Sequence, residues 1–291
     1  MYNAIATNKR NTVLIMAAFI GLVTAVGWAI SAYYGNTWLT PWILGGVLVY
    51  ALIQYFAAGK LAVAMTGAKE IQKSDNPRLW RTVENLAITT GMPTPKIYII
   101  DDPAPNAFAT GRDPKHAIVA ATTGLLEIMS DRELEAVMAH EMGHVQNYDI
   151  RVSMITFGLA SAIGVLSDLA LHMLWFGGND NRSPNPFTIV VGIIVIILAP
   201  VMAMLIQAAV SRQREYLADA TGALTTRDPE ALADALDKLQ TYSRPMKKQH
   251  SATAHLFFSN PLKSGFVSGL FSTHPPLEKR SERLRSKLTE F

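Results

Sequence analysis

The sequence predicts a mainly α-helical protein with a small β-sheet, divided between a multi-helix membrane anchor and a polar domain. Three observations carry that expectation. Four apolar stretches, Val13 to about Tyr34, Trp38 to Ala58, Met154 to Phe176 and Phe187 to Val210, each reach the roughly 20 residues that a helix needs to cross about 30 Å of hydrocarbon. Charged residues make up only 17% of the chain, against about 25% in ordinary soluble domains. The polar regions between and after these stretches carry helix caps and short strand signals.

The first two stretches contain no charged residue and are joined by the turn Gly35-Asn36-Thr37. Lipid offers no partner to a free backbone group, so such runs are helical if they span. Lys9 and Arg10 precede the first run in the manner of a signal peptide, but the run exceeds the roughly 7–15 apolar residues of such a segment. Residues 1–58 are therefore expected to form an uncleaved transmembrane hairpin. The third stretch contains Asp168 and His172. Ionisable residues are costly in a bilayer, so 154–210 is either a second spanning hairpin or a helical segment that is buried in the protein or lies near the membrane surface. Lys and Arg set the orientation. Ten fall in 59–151 and thirteen after 210, none in the first linker and only Arg182 in the second. Both polar regions, 59–153 and 211–291, are expected to face the cytosol and to form one domain in two parts.

Asn76-Pro77 opens a helix that runs to Gly91, and Asp228-Pro229 opens another toward Ser243. Lys96–Ile100 and His116–Ala121 read as strands. Between them Asn106-Ala107-Phe108-Ala109-Thr110-Gly111 is short and bounded by breakers, either an edge strand or a surface loop. Residues 241–273 are mixed in composition and expected to be loop-rich. The net charge of +3, with no basic arm interleaved with aromatics, argues against a nucleic-acid partner. The absence of cysteine excludes disulfides, thiolate ligands and a cysteine nucleophile.

The chemistry concentrates in one helix. Ser130-Asp131-Arg132-Glu133 is a capping box, and the helix it starts holds His140-Glu141-Met142-Gly143-His144. Histidines four apart share a helix face, so both rings can reach one Zn²⁺. Glu141 lies beside them and can act as the general base toward a water molecule. A catalytic zinc wants a third protein ligand and an open position. No further histidine follows at the extended-motif spacing, and His116, His172, His250 and His255 have no motif around them. After the fourth stretch, Glu215 and Asp219 are again four apart. Glu215 can bind zinc and Asp219 can orient a ligand histidine. The alternative is a solvated helix face paired with Arg212 and Arg214. The hairpin 154–210 returns the chain to the side it left. His144 and Glu215 then lie about 15 Å and about 8 Å along their helices from its ends.

His140-Glu141-x-x-His144 followed by Glu215-Tyr216-x-Ala218-Asp219, with Asn106–Gly111 and Thr273-His274-Pro275-Pro276, resembles the HtpX-type membrane metalloproteases. These are relatives of the CAAX prenyl proteases and the Oma-type proteases. The resemblance covers nearly the whole chain. It implies a gluzincin-type domain with one Zn²⁺ held by His140, His144 and Glu215, and with Glu141 as base. It implies that Asn106, Ala107, Phe108, Ala109 and Thr110 form an edge strand that pairs with an extended substrate. Strand addition suits a protease of broad taste, because backbone hydrogen bonds carry the affinity. His274 is implied to stabilise the oxyanion, although Thr273 also caps a last helix through Leu277, Leu284 and Leu288. Arg280 is implied to hold local structure. The implied activity is endoproteolysis of misfolded or damaged membrane proteins in a bacterial-type inner membrane, as part of a stress response. The alternatives are a prenyl-protein peptidase, a scaffold or holdase with structural metal, and a transporter using Asp168 and His172.

Overall fold

The computed structural model describes residues 2–33, 38, 40–156, 158–159, 212–248, 251–254, 256–259 and 275–286. The apolar stretches beyond residue 159, with Asp168 and His172, lie outside the described residues, as do His250, His255 and His274.

Two long helices come first. α1 (Tyr2–Tyr33) and α2 (Thr40–Thr66) pack against each other, with the Phe19 and Tyr50 rings 6.3 Å apart. Their outer faces are apolar and exposed: Trp42 is 69% and Leu52 59% accessible. Thr40–Ala57 is a helical window long and apolar enough to cross a membrane, and only 6% of it is buried inside the protein. α1 begins well before Val13, which brings Asn8 and Thr12 into buried positions. α2 likewise continues past Ala58 to Thr66.

A mixed sheet follows, made of β1 (Lys69–Glu70), β2 (Lys96–Ile100), β3 (Ala107–Thr110) and β4 (Ile118–Thr122), in the order β1-β2-β4-β3. β2 and β4 are parallel, with Lys96 opposite Ile118 and Ile100 opposite Thr122; the other pairings are antiparallel. The strand expected at His116 starts at Ile118 instead. Asp113 accepts a hydrogen bond from the His116 N–H and closes a short 3₁₀ turn over Pro114–His116. β3 is buried along its whole length, which settles the choice between strand and surface loop for this segment.

Between the strands, α3 (Pro77–Thr90) is capped by Asn76 and stopped by Gly91 at φ 67°. α4 (Thr123–Ile128) leads into α5 (Asp131–Gln146). The Ser130 side chain accepts from the Glu133 N–H, and Glu133 accepts from the Ser130 N–H. α6 (Arg212–Thr226), α7 (Pro229–Thr241) and α8 (Leu277–Ser286) follow later in the chain. Leu134, Val137, Met138, Met142 and Val145 of α5 are buried in the main core, which also takes in Leu79 and Val83 of α3, Val119 of β4, and Leu232 and Leu236 of α7. α5 and α6 cross closely because of Gly222. A Cβ there would lie 3.0 Å from the His140 backbone nitrogen and 3.2 Å from its Cα. That approach brings α6's carboxylates up to α5's imidazoles.

Candidate active site

The two imidazoles of α5 meet edge to face, with ring centroids 4.7 Å apart and the planes at 89°. Their Nε2 atoms are 3.1 Å apart. The Glu215 carboxylate reaches in from α6, Oε2 lying 3.8 Å from His140 Nε2 and Oε1 3.6 Å from His144 Nε2. The three candidate ligand atoms all fall within 4.8 Å of one another. Ligands of a tetrahedral zinc at about 2.0–2.1 Å stand about 3.3 Å apart, so this donor set fits the ion. Two neutral imidazoles and one carboxylate also match zinc's preference for nitrogen and oxygen donors.

Each ring nitrogen that faces away from the cluster has a carboxylate. His140 Nδ1 lies 2.9 Å from Asp219 Oδ1, and His144 Nδ1 lies 3.0 Å from Asp149 Oδ2. With each Nδ1–H donating, each Nε2 presents its lone pair to the cluster. Burial, helped by the Arg280 charge, pushes His140 down to about 4. Burial also acts downward on His144, but the hydrogen bond to Asp149 and the charges of Glu215, Asp149 and Glu141 outweigh it and lift the group to about 9. A metal at that position therefore displaces a proton.

Arg280 of α8 is fully buried. Its Nε and Nη2 donate to Asp219 Oδ2 and Oδ1 at 3.0 and 2.7 Å, and its Nη1 lies 3.2 Å from Glu215 Oε2. One guanidinium thus neutralises the two acidic groups of α6. It holds the Asp219 carboxyl below its usual range against the opposing effect of burial. Glu141 is also buried. Burial pushes its carboxyl up to about 7, and the Ala109 N–H of β3 donates to it.

β3 ends the sheet, but its outer side is partly taken. The Phe258 N–H donates to the Ala107 C=O at 2.8 Å, and Phe257 bridges Phe108 in the antiparallel sense. Asn106 Oδ1 accepts from the Ala107 and Ser259 N–H groups, and its Nδ2 donates to the Ser259 C=O at 2.8 Å. The Phe258 ring packs edge-on against His140, centroids 4.7 Å apart, under the Arg280 guanidinium. Ala107's outward backbone groups are therefore occupied from within the chain, while Ala109's N–H faces Glu141.

Of the residues expected from the sequence, His140, Glu141, His144, Glu215, Asp219 and Arg280 come together around one point beside β3. His116 stands apart, half-exposed and 2.7 Å from Asp113. His274 lies outside the described residues. Sequence reading missed Asp149 and Phe258. Asp149 is five residues beyond His144, off the helical repeat. It comes back to the imidazole because Tyr148 adopts φ 62°, a conformation that non-glycine residues rarely take. Phe258 has no motif around it, and only the fold brings it in.

Residues 73–288 match the family described as peptidase family M48. The chain is 57% identical over 291 residues to a protein named Protease HtpX homolog from Tropheryma whipplei strain Twist, covering all of both chains. It is 43% identical to the Protease HtpX homolog of Lactobacillus helveticus, over 98% of this chain and 99% of that one. Its fold is similar to that of S. mikatae Ste24p, with a TM-score of 0.52 and 20% identity, over 98% of this chain and 67% of the other. A histidine pair and a glutamate able to hold a divalent ion, on a chain so closely akin to HtpX-named proteases, lead to one conclusion: the protein belongs to peptidase family M48 and is a zinc metalloprotease.

Proposed function

We propose that the protein is a membrane-anchored endopeptidase in which His140, His144 and Glu215 hold one Zn²⁺ and Glu141 is the general base. The observation that carries this reading is the convergence of the three ligand atoms within 4.8 Å, next to a buried carboxylate whose proton affinity burial has raised to about 7. When bound, the zinc acidifies a water molecule and polarises the substrate carbonyl. Glu141 takes the water's proton, and an ordinary carboxylate would do so less readily at neutral pH. The same carboxyl then returns the proton to the leaving amine. Asp219 and Asp149 fix the tautomers of the two imidazoles, and Arg280 keeps Asp219 ionised while it is buried and lies against the Glu215 carboxylate. His274 supplies a hydrogen bond to the oxyanion as the carbonyl is attacked.

The substrate is an extended polypeptide lying along β3 beside Ala109. The exposed apolar faces of α1 and α2 support a bilayer location, with the site on the cytosolic face of a bacterial-type inner membrane. That location makes damaged membrane proteins the natural substrates and a stress response the natural setting. The test is Glu141→Gln in the full chain. Zinc content is expected to stay at one per chain while casein cleavage falls by about 10²–10⁴-fold. Retained cleavage with retained zinc would overturn the assignment of the base.

A further inference from the structure

The N-terminal helix reaches the metal cluster through one side chain. Asn8 of α1 is 4% exposed, and both hydrogens of its amide are engaged: Nδ2 donates to Asp149 Oδ1 at 2.7 Å and to the Asn147 C=O at 2.8 Å. Asp149's other oxygen, Oδ2, faces His144 Nδ1 at 3.0 Å. A continuous chain of hydrogen bonds therefore runs from α1 through Asp149 to His144. The neighbouring Lys9 ammonium sits 4.6 Å above the Tyr148 ring, on the residue whose φ of 62° turns the chain back toward His144. Two consecutive residues of α1 thus clamp the turn that delivers Asp149. Arg214 of α6 adds a positive charge near Asp149, and the Asn8 amide gives the carboxylate oxygen that faces away from His144 a directional hydrogen bond.

We propose that Asn8 and Asp149 are positioning residues for His144, so that the local hydrogen bond from Asn8 to Asp149, not the packing of the rest of the N-terminal helix, sets the affinity of the metal site. The inference rests on His144 being a zinc ligand. Partners of ligand imidazoles commonly affect metal affinity by about 10–100-fold. A buried amide holding a buried carboxylate is such a partner once removed.

The test uses the full-length protein in detergent. Zinc affinity is measured by competition with a chromophoric chelator, and the visible spectrum of the Co²⁺ form is recorded. Asn8→Ala and Asp149→Asn are each expected to weaken zinc by about tenfold or more and to alter the cobalt bands. The double variant is expected to lose no more than the worse single one, because both act on one chain of bonds. The isosteric Asn8→Asp, which replaces the donor with a second carboxylate, is expected to lose at least as much as Asn8→Ala. Phe19→Ala loosens the same helix away from the cluster and is expected to keep the parent affinity. Parent-like zinc binding in Asn8→Ala, multiplied losses in the double variant, or an equal loss in Phe19→Ala would each overturn the proposal. A parent protein that binds no zinc would instead overturn the metal assignment and take this inference with it.

Discussion

At the scale of single residues, the cluster is a set of opposed charges with little solvent. Arg280 faces Asp219 and Glu215 with no exposed surface of its own. Removing it strands two buried carboxylates, and breaking a buried pair of this kind costs about 3–5 kcal/mol. Arg280→Met is therefore expected to lower the chemical-unfolding free energy by about that much. Arg280→Lys should recover only part of it, because one ammonium cannot make the two-pronged contact with Asp219. His144 supplies a second prediction. Its proton and a metal compete for the same Nε2, and the metal-free group titrates at about 9. Below that pH the proton must be displaced, so zinc affinity should fall about tenfold per pH unit from 9 toward 7 and level off above 9. Competition titrations at several pH values would check this; a flat profile would count against the assignment. His140, Glu141 and His144 were readable because a four-residue spacing places groups on one helix face. Asp149 was not, because its return depends on a left-handed Tyr148 that no periodicity announces.

At the scale of elements, function depends on how closely two helices approach. Gly222 lets α6 run against the backbone of α5 at His140. In Gly222→Ala the added methyl meets main-chain atoms, which cannot give as a flexible side chain can. The expected loss is about 1–3 kcal/mol of stability, together with weaker zinc binding as Glu215 moves away. Urea unfolding and chelator competition would measure the two separately. The helices were legible from their caps: Asn76, Ser130 and Asp228 each accept the backbone N–H that a first turn leaves over. The strands were less so. Asn106–Thr110 is short and has one β-branched residue, so its pattern suits a loop as well as a strand, and only burial against β4 and the 257–259 segment decides. The start of β4 was misjudged for a related reason: Asp113 diverts the chain into a turn before pairing begins.

At the scale of the whole molecule, candidate metal ligands from α5 and α6 meet although a long apolar segment separates them in sequence. The expectation that Glu215 would return to the histidine helix came from the hairpin's topology, and the family resemblance added to it. The part played by α1 could not be read in that way. Its polar start looked like a flank with two cations, yet it is helical and inserts Asn8 beside Asp149. The outward apolar surface of α1 and α2 predicts that the protein stays with the membrane pellet after an alkaline carbonate wash. Release into the supernatant would remove the basis for an anchor.

A bare strand at the border of a sheet invites any unfolded chain, including a neighbouring copy of the same protein, to add to it without limit. Here the Asn106 amide and the backbone at 258–259 close the half around Ala107 and leave the half at Ala109. That closure shields the border from open-ended addition, and the peptide pairing proposed above would be confined to the few positions beside Ala109 and Glu141. The same closure that limits reach guards against clumping.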